Sequence, residues 1–180
     1  MLGRVRTRSP RREWLSVVVV AVVLATLTAL VWVTLWTPPT GFAWQGRFLL
    51  DSSGLRADVD GTALYVLCAV GGGVLLGVFA AFQAHEPRLT LTAVLVGAGL
   101  AAVLMVAWGH QLEPLDAARL AKSAADGTKM SGDLTVVGRA PLLAWPISAL
   151  ASYLLLVLWL TPRDRAVAPE SVLADGRDDG

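Results

Sequence analysis

Three side chains of metal-ligating type lie close together in the sequence. His110, Glu113 and Asp116 recur at an interval of three residues, so an unbroken helix would place them near one face. Pro114 falls inside this segment and is typical of the start of a new helix. His85 lies at the other end of an apolar stretch and cannot complete the set. We therefore expect neither a metal nor another cofactor.

Two further patterns have a structural explanation. Asp58-Val59-Asp60-Gly61 resembles the beginning of a calcium loop, but an apolar stretch begins directly afterwards and supplies no further oxygen ligands. We instead expect Asp60 to cap the helix that follows. The sequence contains neither a nucleophile elbow nor a glycine-rich phosphate loop. These patterns predict a protein without enzymatic activity.

Four apolar stretches dominate the chain and must position every other residue. They cover residues 14–36, 62–82, 89–108 and 141–160, and none contains Asp, Glu, Lys, Arg or His. Because a helix rises about 1.5 Å per residue, each can cross a hydrocarbon core of about 30 Å. The sequence predicts an all-α integral membrane protein with four transmembrane helices in a bundle. Spans without ionisable groups disfavour an ion-coupled carrier.

Basic residues near the span ends predict the orientation. Residues 1–13 form a basic tail, residues 14–161 the membrane domain and residues 162–180 a disordered acidic tail. Placing the basic tail inside puts both termini in the cytoplasm. The first span is expected to be retained, because its apolar run exceeds that of a signal peptide. The tail arginines are expected to contact anionic lipid headgroups; they are Arg4, Arg6, Arg8, Arg11 and Arg12.

The tryptophans indicate where the spans meet water. Indole rings prefer the membrane interface, so we expect one group at the inner interface and another at the outer. The inner group is Trp14 and Trp159, and the outer group is Trp36, Trp108 and Trp145. Trp32 lies one turn deeper than Trp36 and is expected to pack against a neighbouring helix.

The two outer loops, about 37–61 and 109–140, predict a small extracytoplasmic cap. A short helix is expected over 115–122, after Pro114. Short strands are expected over 47–50 and 134–137, and a turn over 51–54.

Small residues recur every four positions in three of the spans. Such stripes allow helix backbones to approach closely in lipid, where hiding leucine from lipid gains little. We expect them to mediate helix packing within the bundle, the alternative being a seam with a homo-oligomer or a membrane-protein partner. The stripes are Ala69, Gly73 and Gly77; Ala93, Gly97 and Ala101; and Ala144, Ser148 and Ser152.

Several short motifs resemble a family of uncharacterised actinobacterial multi-pass membrane proteins. They are Trp36-Thr37-Pro38-Pro39, the short link between spans two and three, Ala144-Trp145-Pro146, and Gly176-Arg177-Asp178-Asp179-Gly180. The resemblance implies a bacterial plasma membrane and adds no catalytic residues.

Two functions remain open. The leading hypothesis is a non-enzymatic accessory or scaffold component of a membrane complex, with no nucleic-acid partner. The alternative is a carrier or binder of an apolar or lipid molecule, which needs no buried charge.

Overall fold

The chain forms four long helices and a small cap. The computed structural model describes residues 10–84, 86–112, 116–134, 136 and 138–160. In chain order the elements are α1 (Pro10–Leu35), β1 (Thr40–Trp44), β2 (Arg47–Leu50), α2 (Ser52–Gln83), α3 (Pro87–Leu112), α4 (Ala117–Ser123), β3 (Lys129–Ser131), a 3₁₀ turn (Ala140–Leu143) and α5 (Ala144–Leu160). Four helical segments are long and apolar enough to cross a membrane, which confirms that part of the prediction.

The bundle is built mainly from parallel helix pairs. The most extensive contacts join α1 to α3 and α2 to α5. Helices α2 and α3 follow each other across a short link and run antiparallel, yet they contact each other much less. The link at 84–86 marks the hairpin end of the bundle, and the sheet marks the cap end. Close packing in this fold therefore joins helices that are distant in the sequence.

Helix α2 begins at Ser52, well before residue 62, where the sequence predicted the span to begin. Its N-cap is Asp51, whose Oδ1 accepts a hydrogen bond from the Gly54 amide at 2.6 Å. The predictions of a turn over 51–54 and of a cap by Asp60 are therefore wrong. Hydropathy marks the part of a helix that suits lipid, whereas the capping residue marks where helical hydrogen bonding starts.

The other helices also extend beyond the predicted spans. Helix α1 begins at Pro10 rather than residue 14, and α3 covers Pro87–Leu112 rather than 89–108. The predicted basic tail thus contributes its last residues to the first helical turn. Polar residues are tolerated in helix ends that reach past the apolar run, because their side chains can remain in water.

The cap contains an antiparallel sheet in the order β2-β1-β3. Gln45 and Gly46 join β1 to β2 with φ of 50° and 70°, the geometry of a tight type I′ turn. The predicted strand at 47–50 is confirmed. The predicted strand at 134–137 is wrong for its described residues, because Leu134 turns into the core and is 1% exposed. Residues 135 and 137 lie outside the described chain.

The short helix of the second loop is α4. It covers Ala117–Ser123, close to the predicted 115–122, and residues 113–115 lie outside the described chain. Asp116 caps it by accepting from the Arg119 amide at 3.0 Å. The Ala117 amide donates to Asp133 Oδ1 at 2.8 Å, which holds the start of α4 against the segment after β3.

Tryptophans fill the core near the cap end. Trp32 is fully buried, as predicted, and its indole N–H donates to the Gly61 carbonyl at 3.0 Å. Its ring meets Tyr65 edge-on with centroids 5.1 Å apart. Trp145 is also fully buried, so its indole packs inside the bundle. Its predicted depth near the outer interface stays a prediction. Gly72 has no side chain to occupy the space that the Trp145 ring fills.

Candidate functional site

The stripes on α2 and α5 face each other. Ala69, Gly73 and Gly77 are buried, Gly73 lies against Ser148, and Gly77 lies against Ser152. The serine hydroxyls are satisfied within their own helix: Ser148 donates to the Ala144 carbonyl at 2.6 Å, and Ser152 donates to the Ser148 carbonyl at 2.8 Å. This stripe is therefore used inside the chain, where it lets two backbones meet.

The stripe on α3 faces α1. Ala93, Gly97 and Ala101 are buried, and a Cβ placed on Gly97 would lie 3.2 Å from the Ala21 Cβ. The matching face of α1 was missed from the sequence, although its four-residue spacing was available there among many valines. That face consists of Val17, Ala21, Ala25 and Ala29, all fully buried. The predicted packing residues therefore lie inside the bundle, within a single chain.

The three residues of metal-ligating type from the sequence do not come together in the part of the chain that the structure describes. His110 is exposed in the last turn of α3, and Glu113 lies outside the described residues. Asp116 caps α4, and its Oδ2 lies 3.1 Å from the Arg119 Nε. No group of three metal-ligating side chains occurs among the described residues.

A buried polar cluster at the hairpin end was missed from the sequence. Glu13 is only 6% exposed, and the Thr90 hydroxyl donates to its Oε1 at 2.5 Å. The Tyr153 hydroxyl donates to the Pro87 carbonyl at 3.1 Å, and the Ser16 hydroxyl donates to Gln83 Oε1 at 3.3 Å. Side chains from α1, α2, α3 and α5 meet here, so the cluster fixes the helix ends. The sequence predicts Glu13 to be the last residue of the basic tail, because the first apolar stretch begins one residue later.

A cleft of about 320 Å³ lies at the cap end, where α1 ends and α2 begins. The close approach of α1 to α2 depends on Gly61, since a Cβ there would lie 2.9 Å from the Trp36 Nε1. One part of the lining is apolar and the other is polar or charged. The lining residues are Leu35, Trp36, Thr37, Ser53, Arg56, Ala57, Asp60, Gly61 and Leu64.

The sheet of the cap has one covered and one exposed face. Successive residues of a strand point to opposite faces. Ala43 is fully buried, whereas its neighbour Trp44 is 49% exposed and Leu49 on the paired strand is 41% exposed. Phe42 pairs with Leu49, so the exposed face carries an apolar group, which we call the open sheet face: Phe42, Trp44 and Leu49.

Two basic residues border the open sheet face. Arg47 is the register partner of Trp44, and Lys129 is the register partner of Phe42. Directly opposed residues in antiparallel strands share a face, so both cations lie beside the apolar group. Exposed aromatic side chains next to cations are typical of surfaces that bind another protein.

The comparisons assign no family to this chain. No family model, curated protein or solved structure matches it. The resemblance to the actinobacterial membrane family therefore stays a prediction.

Proposed function

We propose that this chain is a non-enzymatic accessory or scaffold component of a complex in a bacterial plasma membrane. The four apolar helices would cross the membrane, with both termini in the cytoplasm and the cap outside. Exposed Arg11 and Arg12, in the first turn of α1, suit anionic lipid headgroups on the cytoplasmic side.

The orientation can be tested by labelling cysteines in intact cells. The natural cysteine, Cys68, is first replaced by alanine, and one cysteine is then introduced as Ala125→Cys or as Arg11→Cys. Both positions are exposed and lie at opposite ends of the bundle. A maleimide that cannot cross membranes is expected to label only the position 125 variant. Labelling of the position 11 variant in intact cells would overturn the orientation.

The open sheet face is the observation that carries this proposal. Trp44 and Leu49 remain exposed and Phe42 is half-buried, although the small-residue stripes of α2 and α3 are buried and that of α5 is half-buried within the chain. Arg47 and Lys129 beside it favour an acidic border on the partner. We therefore assign this face to an extracytoplasmic segment of another membrane protein, one that presents apolar side chains surrounded by carboxylates.

A photocrosslinking residue at position 44 in the full-length chain tests this assignment in cells. We expect one adduct of defined mass, and we expect the double variant Arg47→Glu, Lys129→Glu to lose it because the electrostatic match is reversed. The matched control places the crosslinker at Ile147, an exposed position on α5. Circular dichroism of the purified variant checks that the bundle is intact.

Four outcomes would overturn the assignment. One is the absence of a protein adduct at position 44, and another is an adduct that the charge reversal leaves unchanged. An adduct of twice the monomer mass would identify a second copy of this chain instead of a different partner. Crosslinks to lipid alone would mean that the open sheet face lies on the membrane surface.

The cleft at the cap end favours a second function, that of a lipid binder. It combines apolar and charged lining at the level of Trp36, a residue type that prefers the membrane interface. A molecule with an apolar tail and a charged head matches such a lining, whereas a wholly apolar molecule would leave the charged residues without partners.

A further inference from the structure

We propose that the cleft at the cap end binds the headgroup of a zwitterionic phospholipid, with the phosphate at Arg56 and the ammonium group at Asp60. This inference rests on the second function, lipid binding, and is independent of docking at the open sheet face. The carrying observation is the presence of two opposite charges in one cleft that also has an apolar wall.

The spacing of the two charges suits such a headgroup. Arg56 and Asp60 are four residues apart on α2, so their side chains leave neighbouring points of one helix face. A guanidinium group can hold a phosphate through two parallel hydrogen bonds, and a carboxylate accepts from an ammonium group. The short ethylene linker of phosphatidylethanolamine keeps its phosphate and ammonium groups at a comparable separation.

The two charged side chains are not already paired with each other. No ion pair joins Arg56 to Asp60 in the described structure, and both side chains are exposed to the cleft and to solvent. A cation that precedes its acid by four residues is also the weaker order for pairing along a helix. Both groups are thus available to a ligand that carries the complementary charges.

The apolar residues that line one side of the cleft indicate where the acyl chains of the lipid would lie. Leu35 and Leu64 line the cleft together with Trp36, and Leu35 is 62% exposed. Arg56 lies beyond Gly61 toward the start of α2, while Leu64 lies on the other side, toward the apolar part of the helix. A lipid of the same leaflet would therefore enter with its headgroup toward Arg56 and its chains along the leucines.

Native mass spectrometry of the full-length protein in mild detergent tests the proposal. The probes are phosphatidylethanolamine and phosphatidylglycerol with identical acyl chains. The wild-type protein is expected to retain phosphatidylethanolamine about two- to fivefold better, the range for exposed ionic contacts. Arg56→Gln is expected to weaken retention of both lipids, and Asp60→Asn to shift the preference toward phosphatidylglycerol. That shift in headgroup preference is not expected from a purely structural role of Asp60.

Controls separate this proposal from the others. Arg47→Gln, which changes an arginine of the open sheet face, is expected to leave lipid retention unchanged. Equal retention of the two lipids by the wild-type protein, or an unchanged preference in Asp60→Asn, would overturn the proposal. Displacement of the lipid by water-soluble phosphorylethanolamine would assign the cleft to a free headgroup compound and overturn the lipid assignment. Loss of the protein adduct at position 44 in lipid-binding variants would show that the two surfaces are not independent.

Discussion

Adding one methyl group at Gly77 is expected to destabilise the bundle, whereas the same change at Gly71 is not. A Cβ on Gly77 would meet the Ala149 carbonyl and would lie 2.9 Å from the Tyr153 amide nitrogen. Both are backbone atoms of α5, so the helices must separate and cannot adjust by a side-chain rotation. Gly71 lies on the same helix, and nothing is found within 4 Å of its Cβ position.

The magnitude follows from two opposing effects. Overfilling a packed core costs about 1–3 kcal/mol. Alanine is favoured over glycine in a helix by about 1 kcal/mol, which Gly71→Ala gains in full. Gly77→Ala gains the same helix preference, so the difference between the two variants is the packing cost alone. We therefore expect Gly77→Ala to be less stable than Gly71→Ala by about 1–3 kcal/mol.

Unfolding by SDS in mixed micelles measures this difference. Near-ultraviolet circular dichroism follows the loss of the packed environment of Trp32 and Trp145, which are both fully buried. Gly77→Ala is expected to unfold at a lower SDS fraction than the wild-type protein, and Gly71→Ala at the same or a higher fraction. Unfolding of both variants at the same SDS fraction would show that the close contact of α2 with α5 does not limit stability.

Three other substitutions test separate contacts, each by the same unfolding assay. Thr90→Val removes the hydroxyl that donates to the buried Glu13 carboxylate and should cost about 1–3 kcal/mol of stability. Thr92→Val, at an exposed site, should have little effect. Equal losses of stability in the two variants would contradict the role of the hydrogen bond to Glu13. Trp32→Phe removes the donor to Gly61 and should cost about 1 kcal/mol, whereas Trp108→Phe should not, since Trp108 is 44% exposed. Hydrogen bonds from Ser53 and Gly54 hold the pKa of Asp51 below its ordinary value of 3.8. The stabilisation by ionised Asp51 is therefore complete above the pKa of Asp51 in the unfolded chain, and it is lost as the pH falls through the pKa in the folded chain. Asp51→Asn should remove this dependence of stability on acid. An unchanged dependence of stability on pH would exclude Asp51 as its source.

The long helices were predictable because length and apolarity are properties of local sequence. Their ends were not, because helix α2 begins at the Asp51 cap while its apolar run begins about three turns later. The predicted strand at 134–137 is wrong at its described residues for a different reason: the side chain of Leu134 is buried next to Gly109. Such tertiary contacts outweigh the strand preference of β-branched residues.

The small-residue stripes could be found from the sequence, but their partners could not. A four-residue spacing identifies the face of a helix without specifying which other face it meets. The cleft and the open sheet face required the fold, because Arg56 lies in α2 whereas Trp36 follows the end of α1, and Trp44 is brought beside Arg47 by a tight turn. The burial of Glu13 could not be predicted from the sequence for the same reason, since Thr90, which donates a hydrogen bond to it, comes from α3.

The parallel pairing of the helices also constrains the order in which the protein can be assembled. Helix α2 completes its main interface only with α5, the last helix described, so its glycine face must remain uncovered while α3 and the second loop are synthesised. We expect a chain truncated after residue 139 to expose Gly73 and Gly77 and to be degraded faster than the full-length chain in a pulse-chase measurement. Equal lifetimes would show that the first three helices are already stable. Until α5 is synthesised, the glycine face of α2 therefore lacks its main partner and is accessible to chaperones and proteases.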